Sequence, residues 1–433
     1  MHSFASTADL TVAQVMVAIA AMLLTGALLA RAARRLGQPP VLGEIAAGIV
    51  LGPSLLGLLP GDLTERLFPA SIRPSLSVVA NIGLLLFMFL IGWSFNKKLL
   101  AGRAATAGAV SAFSVVVAFG LGAALALVLY RHHDQVGGLP VDRTGFVLFL
   151  GAAMAITAFP VLARILRDSG LMRTRVGALA LVSAAVDDVI AWCLLACVSA
   201  IVSARGQGDL LVILALSAGY LTFMLVVVRP LLARVVGRLG TPERLVHLLP
   251  VLAGGVLLSS FATTWIGIHA IFGAFVFGFV MPRPAADTSD ALPLRSQLEG
   301  ISAVLLPVFF IVTGLNVDIA GLTARNYLEL AAILLVAIAG KFVGACVPAR
   351  AGGMPWRDVA TLGVLMNTRG LTELIILNAG VQLGVLDNQM FTMMVVMALV
   401  TTGMAGPLLS LLAGRGQDRP AAPELVDTGR PRA

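Results

Sequence analysis

Apolar residues run in long stretches along most of the chain, and the gaps between them fall at Pro, Gly and clusters of charge. Dividing the sequence at those gaps predicts thirteen helices: 11–30, 41–59, 76–95, 104–129, 144–165, 176–203, 210–232, 245–264, 266–281, 298–316, 327–347, 357–380 and 389–412. Most approach the roughly 20 apolar residues that a helix needs to cross a bilayer. No basic segment precedes the first stretch, whereas Arg31, Arg34 and Arg35 follow it; this is the reverse of a signal peptide, so the stretch is expected to remain as a helix.

Composition carries the same message. Of 433 residues, 58% are hydrophobic and 12% charged, which describes an all-α polytopic membrane protein with no room for a large soluble domain. A net charge of +8 would suggest nucleic acid in a soluble protein, but here the basic residues sit in short connections. Placed on alternate sides, 22 of the 30 Lys and Arg residues fall on one face and 6 on the other. That bias predicts a multi-pass protein of the plasma (inner) membrane, N-terminus outside and C-terminus cytoplasmic, with no nucleic-acid partner. Residues 1–10 then form an outer tail, and 413–433, polar and rich in Pro, Gly and Arg, a disordered cytoplasmic one. Cys193, Cys197 and Cys346 lie in apolar stretches and read as small packing residues, with no third ligand in sequence reach for a metal.

A weak repeat runs through the pattern. The second stretch reads GEIAAGIVLGP and the ninth GAFVFGFVMP, with Gly43/Gly48 and Gly273/Gly278 at the same spacing. FLIGWSFN at 89–96 and FIVTGLNV at 310–317 extend the match. Stretches two and nine differ by an odd number and so cross in opposite directions. Stretches 1–6 and 8–13 are therefore expected as two inverted six-helix repeats, an architecture of secondary transporters.

On that repeat the fifth stretch matches the twelfth, and both are interrupted at midspan. One holds Thr157-Ala158-Phe159-Pro160, the other Asn367-Thr368-Arg369-Gly370 followed by Glu373. Corresponding breaks of this kind point to a transporter's binding site, because freed backbone groups face a cavity there. Arg369 and Glu373, four apart, are placed to neutralise each other or to line the approach. Glu44 is near a membrane face and reads as an interfacial group or a functional one.

The sixth stretch carries Asp187 and Asp188 in otherwise apolar surroundings. A carboxylate at such depth is costly and marks a cation or proton site. Neighbours on a helix point about 100° apart, so the two cannot share a partner. Lys341 is the one lysine inside a predicted span, and a buried ammonium needs a counter-charge that one of the aspartates can supply. The other aspartate then faces the cavity, where it holds a proton or a monovalent cation but not both, which suffices for coupled exchange. His132, His133, His247 and His269 read as solvated or core histidines.

TAFPVLARIL (157–166), SAAVDDVIAW (183–192), AGKFVGA (339–345) and NTRGLTELIILN (367–378), with PPVLGEIAAGIVLGPS at 39–54, resemble the monovalent cation:proton antiporter-2 family. The resemblance implies a homodimer. Its dimerisation part would be about 11–95 and 245–316, its linker helix about 210–232, and its mobile core about 104–203 and 327–412, with crossed broken helices and elevator-type alternating access. Carried over by motif, Asp188 is the ion and proton carrier and the metal (monovalent cation) ligand, and Asp187 pairs with Lys341. Thr157 and the Asn367–Thr368 break line the site or offset the facing helix ends. The Asp-Asp pair with a core lysine is similar to electrogenic sodium/proton antiporters, whereas the TAFP and NTRGLTE wording is similar to potassium-linked exchangers. Na⁺ is the favoured ion, with Li⁺ or K⁺ as alternatives. No cytosolic nucleotide-binding domain is expected.

Three other classes match the sequence less well. An intramembrane aspartyl protease needs carboxylates converging from two helices, but Asp318 and Asp358 lie at helix ends; no enzyme activity and no cofactor are expected. A sodium-coupled carrier of organic anions and a passive cation channel fit the pattern less well than an antiporter.

Overall fold

The computed structural model describes residues 7–94, 104–203, 207–239, 248–282 and 292–413. Expectations for residues 1–6, His247 and 414–433 lie outside the described residues.

The described chain is helical apart from one small ribbon. In order the helices are α1 (Thr7–Arg35), α2 (Pro40–Leu51), the short α3 (Leu63–Leu67), α4 (Arg73–Ser94) and α5 (Ala104–Leu129). Then follow α6 (Arg143–Ala155), α7 (Phe159–Asp168), α8 (Arg175–Ser203), α9 (Gln207–Phe223) and α10 (Arg229–Leu239). The last group is α11 (Leu249–Ile266), α12 (Ala270–Val280), α13 (Leu292–Leu315), α14 (Ala324–Ala351), α15 (Trp356–Met366), α16 (Leu371–Gln382), α17 (Asn388–Gly403) and α18 (Ala405–Ala413). Between α9 and α10 one turn widens to a π-turn at Met224–Val228, beside Pro230, whose missing N–H cannot continue the helical ladder. The ribbon pairs Gln135–Val136 with Leu139–Pro140 antiparallel, and Gly137 and Gly138 supply the two positive φ angles that so tight a hairpin demands.

Among the described residues, ten helical segments are long and apolar enough to cross a membrane. The predicted stretches around 144–165, 266–281 and 357–380 hold shorter or interrupted helices instead. Large apolar side chains lie exposed on the outer surface, among them Met16, Leu24 and Leu28 of α1 and Leu211, Val212 and Phe223 of α9. A surface of that kind suits lipid rather than water. Cys193 and Cys197 fall on the exposed side of α8 and not in the packed interior, because they are turned away from the face that carries Asp187.

Close approach of backbones organises the interior, and glycine permits it. A Cβ on Gly48 of α2 would sit 2.1 Å from the Ile311 carbonyl oxygen of α13, and one on Gly314 would sit 2.3 Å from the Ile45 oxygen. The same geometry joins α12 to α4: a Cβ on Gly278 would lie 2.1 Å from the Phe89 oxygen, and one on Gly92 would lie 2.2 Å from the Phe275 oxygen. In both pairs the contacted carbonyl is three residues before the partner glycine. Gly344 of α14 likewise rests on Ser114 of α5, which sets Lys341 against Ser111 and Ser114.

Gly48→Val and Gly278→Val are each expected to lower stability by about 1–3 kcal/mol through overpacking. Thermal unfolding in detergent checks this; a midpoint equal to wild type in either variant contradicts the contact.

Candidate functional site

Two helices are broken at the centre of the molecule. α6 stops at Ala155, residues 156–158 are extended, and α7 begins with Pro160 in its first turn, where a missing N–H does no harm. α15 stops at Met366, and α16 starts after Gly370. The breaks lie against each other: the Ala158 N–H donates to the Thr368 oxygen at 3.2 Å, and a Cβ on Gly370 would come within 2.6 Å of Val161.

The C-terminal end of a helix exposes carbonyls with no partner in the next turn and carries partial negative charge. At α6 this is met by two buried cations. Arg369 donates to the Ala153 oxygen at 3.1 Å and to the Met154 oxygen at 2.8 Å, and Lys341 donates to the Ala155 oxygen. The three last carbonyls of the half-helix are thus all taken by positive groups. At α15 hydroxyls do the work: Thr157 donates to the Met366 oxygen at 2.9 Å and Thr368 to the Leu365 oxygen at 2.8 Å.

Each buried cation also meets a carboxylate. Lys341 Nζ lies 3.1 Å from Asp187 Oδ2, with neither side chain exposed, and Ser111 donates to Asp187 Oδ1 at 2.5 Å. Lys341 reaches Ser114 Oγ at 3.4 Å as well. Arg369 Nη1 lies 3.1 Å from both oxygens of Glu373. Glu373 is fully buried, so it stands in an ion pair and not on the wall of an open funnel.

Asp188 is different. It is only half-buried, and Thr372, in the first turn of α16, donates to its Oδ1 at 3.2 Å. The backbone N–H of Phe159, the first residue of α7, faces the same carboxylate. Asp188 therefore sits where the N-termini of both second half-helices converge, an arrangement that favours negative charge. Part of the residue stays accessible, unlike Asp187, Lys341, Arg369 and Glu373.

The structure brings Asp187, Asp188, Lys341, Thr157, Thr368, Arg369 and Glu373 to one locality around the two breaks. Pro160 shapes the start of α7, and Asn367 is turned toward Met404, its Nδ2 3.8 Å from the sulfur. Ser111, Ser114, Thr372 and Thr402, whose hydroxyl accepts from the Arg369 N–H at 2.9 Å, were not anticipated. The one sequence signal for the serines is their spacing on a single face of an apolar helix. Away from the breaks, His133 is buried between Asp387 (2.5 Å) and Glu329 (3.2 Å), while His132 reaches the second oxygen of Glu329 at 3.2 Å.

Half-helices meeting around a carboxylate that makes no ion pair among the described residues, in a bundle of apolar helices, define an ion-transport protein. The chain belongs to the sodium/hydrogen exchanger family: the family model described as "Sodium/hydrogen exchanger, transmembrane" matches residues 19–414. It is 42% identical over 412 residues to the Na⁺/H⁺ antiporter NhaS4 of Synechocystis sp., covering 93% of this chain and 97% of that one. It is 40% identical to cation/H⁺ antiporter 20 of Arabidopsis thaliana (86% of this chain, 45% of that one). It is 32% identical to K⁺/H⁺ antiporter 1 of Saccharomyces cerevisiae (87% and 43%). The chain thus spans less than half the length of the plant and yeast proteins. Its fold matches the sodium proton antiporter MjNhaP1 of Methanocaldococcus jannaschii with a TM-score of 0.64 at 16% identity, over 94% of this chain and 99% of that one.

Removing the charge of Arg369 alone, as in Arg369→Met, leaves Glu373 buried without its cation and is expected to cost about 3–5 kcal/mol. Adding Glu373→Gln should recover part of that loss in thermal unfolding; a double variant less stable than the single one contradicts the pairing. For His133, burial lowers the imidazole pKa, but the hydrogen bonds and charges of Asp387 and Glu329 outweigh it and raise the value above 6.5. The stabilisation is then complete below about 6.5 and is lost as pH rises through the raised value. His133→Gln should flatten that part of the stability–pH curve; an unchanged slope contradicts the assignment.

Proposed function

We propose that this protein exchanges a monovalent cation for protons at Asp188, by transport without a chemical step. The observation that carries the proposal is the contrast between neighbours: Asp187 is closed off with Lys341, while Asp188 is half-open at two helix N-termini. A single carboxylate that holds either a proton or a cation makes their fluxes compete, which is antiport. Electrogenic exchange needs a second proton per cycle beyond the one at Asp188; we assign that proton to Lys341, the one buried cation paired with the neighbouring aspartate, and on that assignment read the exchange as electrogenic.

Na⁺ is the preferred ion in this reading, supported by the name of the cyanobacterial relative. K⁺ is the second reading, favoured by the name of the yeast relative. An inverted repeat of two six-helix units within thirteen spans is supported by the matched glycine contacts, since α2 on α13 and α4 on α12 use the same offsets in opposite halves. The core about 104–203 and 327–412 would move against a dimerisation part, about 11–95 and 245–316, in an elevator-type cycle of a homodimer in the plasma (inner) membrane. The basic bias of one set of connections supports an outer N-terminus.

In proteoliposomes, Asp188→Asn is expected to abolish proton movement driven by Na⁺, Li⁺ or K⁺, and Lys341→Gln to leave exchange that no longer responds to membrane potential. Wild-type turnover in Asp188→Asn would refute the site. The cation giving the largest flux in the wild type decides between Na⁺ and K⁺, and flux that requires an added organic anion would indicate a symporter.

A further inference from the structure

A cavity of about 400 Å³ lies between α8 and α16 on one side and α4 and α12 on the other. Its lining is mostly apolar surface, but no Asp, Glu, Lys or Arg is among its residues and six polar side chains reach it: Asn81, Ser199, Ser203, Thr264, His269 and Gln382. Ser199 is fully buried and its hydroxyl has no hydrogen-bond partner among the described residues. His269 Nε2, at the N-cap of α12, meets Gln382 Oε1 of α16 across the cavity at 3.1 Å.

The cavity is stacked over the ion site. Two helices contribute to both places, and both give the same separation. Along α8, Asp188 and Ser199 are eleven residues apart, about 16 Å of helix rise; along α16, Thr372 and Gln382 are ten apart, about 15 Å. Asp188, Trp192, Ser199 and Ser203 fall within an arc of about 60° on α8, so they form one column. Trp192 is the member next to Asp188, and its ring meets Phe272 of α12 edge-on, with centroids 6.2 Å apart. Leu195, also buried, completes an apolar layer one to two turns thick between the carboxylate and the polar cavity.

We infer that Trp192 and Phe272 form a barrier between Asp188 and an antechamber that takes a partly hydrated monovalent cation. The chemistry of the lining fits that ligand. Neutral hydroxyl and amide oxygens can replace some of a cation's waters without holding it as a carboxylate would, so the ion is passed on and not trapped. An aromatic pair is a fit barrier because its two bulky rings, packed edge to face, fill the column, and the weak attraction of a ring face for a cation replaces only a small part of the hydration shell the ion would have to shed. This inference rests on the antiport reading for its purpose, but its geometry is tested separately.

In a variant with Cys193, Cys197 and Cys346 replaced by Ala, Ser203→Cys is expected to react with a membrane-impermeant cationic methanethiosulfonate added at the face where α8 ends. Na⁺ in place of choline should slow that reaction by about twofold near half-occupancy. Asp188→Cys in the same background should react slowly from that face. Either Trp192→Ala or Phe272→Ala should speed its labelling by about tenfold, whereas Trp192→Phe should not. An unreactive Ser203→Cys, or a rate indifferent to Na⁺, overturns the antechamber. A rate at Asp188→Cys that neither alanine variant changes overturns the barrier. Wild-type liposomes that show no cation-driven proton flux strike the antiport reading alone, since the labelling pattern does not depend on turnover.

Discussion

A helix broken inside a bilayer leaves carbonyls and amides that no water can reach, and the structure around residues 153–158 and 366–372 is organised to answer them. Two cations and two hydroxyls occupy the C-terminal ends of α6 and α15, and a carboxylate stands before the N-termini of α7 and α16. Sign follows the direction of the half-helices: positive groups lie at the ends that need them, and the remaining negative group lies at the ends that welcome it. Lys341 and Arg369 then require counter-charges of their own, which fixes Asp187 and Glu373 in place. Asp188 is left as the one member of this group that is not fully withdrawn from the surroundings.

The outer frame serves this centre by a different means. Backbone contacts through Gly48, Gly314, Gly92 and Gly278 lock α2 to α13 and α4 to α12, with few polar atoms involved. In lipid, where burial of apolar side chains gives little drive for association, close packing of small residues is the available adhesive. A fold held together by backbone proximity tolerates wide change in the side chains that face lipid, consistent with a fold shared at 16% identity.

Much of the centre was legible in the sequence because it breaks rules that apolar helices otherwise keep. Pro160 and Gly370 interrupt long apolar stretches, and a single lysine among the predicted spans demands an acid. Helix geometry separated Asp187 from Asp188 but could not say which turned to Lys341; that depends on how α14 lies on α5, set by Gly344 against Ser114. Ser111 and Thr372 were not legible, because a hydroxyl in a helix usually bonds its own preceding turn, as Ser217, Thr222 and Thr401 do here. The His133 cluster was out of reach for another reason: its partners Glu329 and Asp387 are 196 and 254 residues away.

Lys341 has three acceptors around it, the Ala155 carbonyl, Asp187 and Ser114, and an ammonium has three N–H groups to give. A neutral amine keeps two N–H groups and gains a lone pair. The hydroxyl of Ser114, free to rotate, can then turn from receiving a hydrogen bond to giving one. The hydrogen-bond wiring around Lys341 thus has a partner for either form of the nitrogen, because one of its three neighbours is a hydroxyl that can serve as acceptor or donor.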